Sequence, residues 1–121
     1  MAAYKIQKNP FVVPTTDGKL IEEHFGKATD GNTAMSIAHM VAPPGWSEPF
    51  KKPEFDEYTY IINGKKQFII EDETVILEQG QSIKIEKNSR VQYSNPFNKP
   101  CIYLAICTPA FTIENVNREE K

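Results

Sequence analysis

Histidine is nearly missing from this chain. Of 121 residues only His24 and His39 carry an imidazole, and none follows His39. Cysteine is as scarce, with Cys101 and Cys107 alone. The two lie in what reads as one strand, where six residues span about 20 Å at ~3.3 Å per residue, too far for a disulfide. They are expected to be buried as small hydrophobes. No apolar run approaches the ~20 residues needed to cross a bilayer, and Met1-Ala2-Ala3-Tyr4-Lys5 has none of the apolar stretch of a secretory leader, so the expected location is the cytoplasm. An excess of one charge is also lacking. Lys+Arg total 14 against 16 Asp+Glu, for a net charge of −2 and a pI near 5.7. Without a basic stripe, neither nucleic acid nor an anionic membrane is an expected partner. A helical period, an internal repeat and a low-complexity tract are missing as well. A chain this short is expected to form one domain that buries roughly two thirds of its unfolded surface, with no second catalytic domain expected.

What is present is a series of short segments rich in Ile, Val, Phe and Tyr, separated by turn residues at the spacing of an all-β sandwich or barrel. Strands are predicted over Tyr58–Ile62, Gln67–Ile70, Thr74–Leu77, Ser82–Ile85, Arg90–Ser94 and Ile102–Cys107, with Leu20–Phe25 and Ala34–Val41 upstream. Asn63-Gly64, between the first two, predicts a two-residue hairpin turn. Gln79-Gly80, Lys87-Asn88 and Asn95-Pro96 supply other breaks, and the pattern is that of a β meander or jelly roll. Four prolines between Pro43 and Pro53 make a stiff connection that cannot pair regularly. One domain over residues 1–121 follows, with a core barrel over about 34–109, an N-terminal strand segment before it, and a polar tail from about 110 expected to fray.

Particular residues fall at the spacing of the two cupin motifs. Gly45 is followed by five residues, then Lys51-Lys52-Pro53, three residues, Glu57, six residues and Gly64. Gly80, Glu86-Lys87-Asn88, Val91 and Asn95 occupy the frame of the second motif. The chain therefore resembles the cupin superfamily, which implies an all-β double-stranded β-helix, or jelly-roll barrel, and a homodimer. In that family two histidines of the first motif, its glutamate and a histidine of the second commonly hold a divalent metal. Here those positions are Lys51, Pro53, Glu57 and Val91. Proline and valine have no donor atom, and a protonated Lys51 repels a cation. No cofactor is expected at the usual site. A rebuilt, non-standard divalent site using His24, Glu57 and loop carboxylates stays open as an alternative.

Strand parity sketches the interior. If Glu57 points inward, so do Thr59 and Ile61, then Lys66, Phe68 and Ile70 beyond the turn, while Val91 carries Tyr93 and Asn95 with it. Ser36, Ala38, Met40 and Ala42 are small enough to wall a pocket, with His39 on the opposite, packed face. The pocket so drawn is mostly apolar with a few polar groups, the make-up of a small-molecule site. Glu57 must then find a partner or a proton. It pairs with Lys51, serves as a general acid or base with Tyr93 as hydroxyl donor, or is structural. Trp46 and Phe50 flank Glu48 in the stiff loop, where an aromatic can stack on a planar ligand or pack as a lid. Tyr58, Tyr60 and the set Cys101, Tyr103, Ala105 are candidates for an outer dimer face.

Two main readings follow. The first is a module that binds a small polar or carboxylated metabolite or sugar derivative through Glu48, Lys51, Trp46, Thr59, Phe68 and Val91. The second is an isomerase, epimerase or lyase working by acid–base chemistry at Glu57, Tyr93 and His24. A purely structural or interaction role comes third.

Overall fold

Alternating burial along each strand builds the molecule, described over residues 3–119 by a computed structural model. Ten strands form, β1 (Phe11–Val12), β2 (Leu20–Phe25), β3 (Ser36–Ala42), β4 (Trp46–Ser47), β5 (Asp56–Asn63), β6 (Lys65–Ile70), β7 (Glu73–Glu78), β8 (Ser82–Ile85), β9 (Val91–Asn95) and β10 (Cys101–Thr108), followed by a one-turn helix α1 (Ile113–Val116). Among the described residues no helix is long and apolar enough to cross a membrane.

Two antiparallel sheets face each other. One runs in the order β1-β2-β3-β10-β5-β8, the other β4-β9-β6-β7. From β3 onward the chain passes repeatedly from one sheet to the other, the winding of a double-stranded β-helix jelly roll, so β10 pairs with both β3 and β5 although it follows them by many residues.

The hairpin expected at Asn63-Gly64 does not form, because β5 and β6 belong to different sheets. The dipeptide turns a barrel corner instead, with Gly64 at φ 86°. A Cβ on Gly64 would stand 2.5 Å from the Pro100 carbonyl oxygen, so glycine is required where this corner presses on the entry to β10. The hairpin lies one strand later. There β6 and β7 pair from Lys65↔Glu78 to Ile70↔Glu73, and Glu71 takes the left-handed conformation at φ 53°.

The core sits between the sheets. It contains Trp46, Ile61, Phe68, Leu77, Ile85, Val91, Tyr93 and Tyr103, with Phe68 meeting Tyr93 edge to face at 5.4 Å. Each such side chain contributes roughly 1.5–3 kcal/mol by leaving water. The predicted inward set Glu57, Thr59, Ile61, Lys66, Phe68, Val91, Tyr93 and Asn95 is buried, and Ile70 half-buried. Cys101, Tyr103 and Ala105 also face inward, so they are not part of an outer face, whereas Tyr58 and Tyr60 are exposed there. Both cysteines are free and buried.

The tail does not fray through Glu119. Thr112 and Asn115 cap α1 reciprocally, and Val116 packs with Phe55 and Cys107. The Phe111 amide donates to Ser36 Oγ at 2.9 Å, the Glu54 amide to the Asn115 carbonyl at 2.9 Å, and Arg90 grips the Glu119 carboxylate with two nitrogens. Residues 120–121 lie outside the described residues.

Candidate functional site

A narrow cleft with a cavity volume of about 50 Å³ enters the barrel between the sheets. Ile21, Ala38, Met40 and Ala105 give it an apolar wall, because β2, β3 and β10 turn these alternate residues inward. Phe55 and Phe111, from the loop before β5 and the tail, complete that wall. Set into it are charged side chains from four places in the chain: Lys19 and Glu23, Glu48 and Lys51, Glu57, and Arg118. All but Arg118 are buried.

These charges are arranged, not scattered. Glu57 Oε1 accepts a short hydrogen bond from the Tyr93 hydroxyl. Burial first, and then the neighbouring Glu57 charge, raise the Tyr93 phenol well above its usual range, so it stays a donor. Lys51 Nζ lies 3.0 Å from Glu48 Oε1 and 4.3 Å from the centre of the Tyr93 ring. Arg118 Nη2 stands 3.6 Å from the other Glu48 oxygen. Burial by itself would raise Glu48, but the ammonium groups of Lys51 and Lys19 and the Arg118 guanidinium hold it at about 2.

Lys19 is different. Its Nζ sits 4.4 Å above the Trp46 ring and forms no ion pair with any described carboxylate. Burial draws it down to about 8, opposed by the more distant charges of Glu48 and Glu57. Trp46 is itself fixed by donating Nε1–H to Asp17 at 2.7 Å. Glu23 accepts a hydrogen bond from Thr29 at 2.6 Å. Cys107 also lines the cleft, but burial pushes its thiol well up, which removes thiolate character.

Of the residues singled out from the sequence, Glu48, Lys51, Glu57 and Tyr93 come together on the cleft. The ion pair considered between Lys51 and Glu57 is replaced by two separate pairs, Lys51 with Glu48 and Tyr93 with Glu57. Trp46, Thr59, Phe68 and Val91 are packed behind the cleft and do not line it, so a ligand there would not touch them. His24 is also set apart: it stands where the β2–β3 register shifts between Glu23 and Phe25, and Glu23 takes the inward place. His39 points outward to Glu22, with Nδ1 3.1 Å from Oε1. The cleft adds Lys19, Glu23 and Arg118. The first two were open to detection, since Ile21 and Glu23 share one parity of the predicted strand Leu20–Phe25 and Lys19, just before it, continues that parity. Arg118 reaches the site from the tail and left no local signal.

The sequence pattern of the family described as Cupin domain matches residues 38–107. A curated relative, endoribonuclease YbeY of Myxococcus xanthus (strain DK1622), is 38% identical over 108 residues, which is 89% of this chain and 37% of that protein. The chain therefore spans little more than a third of the relative's length. Among solved structures, an RmlC-like cupin from Shewanella frigidimarina NCIMB 400 superposes with a TM-score of 0.72 at 12% identity, covering 91% of this chain and 93% of that one. An uncharacterized conserved protein with a double-stranded β-helix domain from Klebsiella pneumoniae subsp. pneumoniae MGH 78578 gives 0.71 at 13% identity, with both chains fully covered. At such identities the likeness shows the fold alone.

Proposed function

The chain belongs to the cupin-domain family, and within that family we propose that it is a module binding a small carboxylated molecule in the cleft. The observation that carries this reading is Lys19: a buried cation on an apolar wall, facing the cleft, with no carboxylate of its own. Every other cation there is engaged by Glu48. A ligand carboxylate would supply the missing counter-charge, in a site dry enough for the pair to be strong.

The family's divalent metal does not fit these residues. The Lys51 ammonium occupies one of its positions, already committed to Glu48, and Pro53 and Val91 offer no donor. Among the described residues no three His, Cys, Asp or Glu side chains gather at metal-binding spacing. A rebuilt site around His24 has no support in the geometry, because His24 is off the cleft.

The reading is tested by calorimetric titration with small carboxylates and their amides. Binding of the acids, weaker binding of the amides and at least a tenfold loss in Lys19→Met are the expected results. Equal binding of acid and amide would sink it. A second reading rests on the Tyr93–Glu57 hydrogen bond, which poises a carboxylate for proton transfer. It requires that Glu57→Gln abolish a turnover that wild type shows, while ligand affinity is retained. The homodimer implied by family membership would bury the outer face of β5, where Tyr58, Tyr60 and Ile62 are exposed.

A further inference from the structure

The cleft does not end at its mouth. A second depression, on the surface beside it, is lined by Phe11, Pro14, Ala28 and Ile113, and shares Val13, Glu23 and Phe111 with the cleft. The two adjoin at these three residues as a trough. Its outer part holds large apolar side chains that water reaches. Phe11 is 42% exposed, and Ile113, on the first turn of α1, is 82% exposed. Such residues beside a binding cleft extend its apolar surface outward.

Charge sets the direction of whatever lies in the trough. At the inner end stands the unpaired Lys19. At the seam stands Glu23, whose side chain is fixed by Thr29 and fits only because residue 26 is glycine, where a Cβ would stand 2.6 Å from its Cδ. A second negative group is unwelcome there. At the outer end Lys27 and Glu114 offset each other on the rim. An anionic group is thus favoured only inside, and the rest of the occupant must be uncharged and apolar.

We infer that the ligand is a free amphiphilic carboxylic acid, its head against Lys19 and its alkyl or aryl tail running past Val13 and Phe111 into the groove of Phe11, Pro14 and Ile113. This rests on the carboxylate reading above and narrows it from any small acid to one with an apolar extension. The groove's occupant is the tail of that single molecule.

The experiment is calorimetric titration of the full chain with acetate, butanoate, hexanoate and octanoate below their micelle concentrations, with sedimentation of phosphatidylglycerol vesicles and light scattering alongside. Affinity is expected to rise by roughly fourfold per methylene once the tail passes the seam, the value for burying one CH₂. Ile113→Asp, or Phe11→Ser should the first disturb α1, is expected to abolish that length dependence. Lys19→Met is expected to weaken every member of the series. If the short acids bind and the series is flat, the tail assignment is overturned and the carboxylate reading stands. If no acid of any length binds, both fall. Co-sedimentation with vesicles, or a lower solution mass on Ile113→Asp, would identify the groove as a membrane or self-association surface and overturn the inference.

Discussion

Lys66 places its Nζ 3.6 Å from the centre of the Tyr103 ring and 4.2 Å from that of Tyr93, fully buried and without a hydrogen-bond partner. The two π faces offset part of the cost of burying an ammonium, yet burial still brings the pKa down to about 7. The unfolded chain keeps this proton up to about 10.5. Above pH 7 the unfolded state therefore binds more protons than the folded one, and stability rises with pH by up to ~1.4 kcal/mol per unit. Lys19 adds to the rise from about pH 8, and from about pH 9 the buried thiols and phenols oppose it. Lys66→Met is expected to flatten the slope between pH 7 and 8 and to stabilise the protein by about 1–4 kcal/mol at pH 6. Denaturant unfolding at pH 6, 7 and 8 measures both effects, and an unchanged slope would refute the assignment.

Glu48 behaves in the opposite sense. Its folded pKa, about 2, lies below the ordinary 4.5, so its contribution is present above pH 4.5 and is lost as pH falls toward 2. Replacing it leaves the Lys51 ammonium and the Arg118 guanidinium without their shared carboxylate. Glu48→Gln is expected to cost about 3 kcal/mol at pH 7 and to make the remaining stability less sensitive to acid between pH 4.5 and 3. Thermal unfolding across that range checks the claim. A variant as acid-sensitive as wild type would show that Glu48 is not the group responsible.

The contrast between Lys66 and Lys19 shows what the sequence could and could not disclose. Period-two alternation holds from Glu57 through Thr59 and Ile61 within β5, and again through Lys66 and Phe68 within β6, because each strand turns one face to the core; the step between the two strands rested on a hairpin that does not form. The same rule applied to β2 would have turned Glu23 inward, and Lys19, the residue before the strand, with it. The Asn63-Gly64 corner was misread because left-handed dihedrals are local, whereas the choice between hairpin and corner depends on which sheet the next strand joins. Contacts such as Glu48 with Arg118 and Trp46 with Asp17 join distant segments and leave no periodic trace.

Tyr93→Phe removes a single oxygen and tests the floor of the cleft. Glu57 would lose its hydroxyl donor while staying buried, at an expected cost of about 1–3 kcal/mol. Removing both groups in Tyr93→Phe/Glu57→Met relieves the orphaned carboxylate, so the double variant is expected to recover part of the loss. Urea unfolding of the four proteins gives the coupling directly. A sum of the single effects equal to the double would mean that the hydrogen bond contributes nothing to stability.

Gly64 and Gly80 both take positive φ, 86° and 84°, and differ in what surrounds them. At Gly80 nothing stands within 4 Å of where a Cβ would be, so Gly80→Ala bears only the left-handed backbone, a penalty of about 1–2 kcal/mol. At Gly64 the added carbon also meets the Pro100 oxygen at 2.5 Å and the Cys101 Cα at 3.1 Å, both backbone atoms at the entry to β10. Neither can rotate away, and moving them displaces the strand that joins β3 to β5. Gly64→Ala is therefore expected to lower the melting temperature well beyond Gly80→Ala, at about 3 kcal/mol or more. Equal melting temperatures for the two variants would show that the corner yields, and that the barrel does not depend on the close approach of Gly64 to β10.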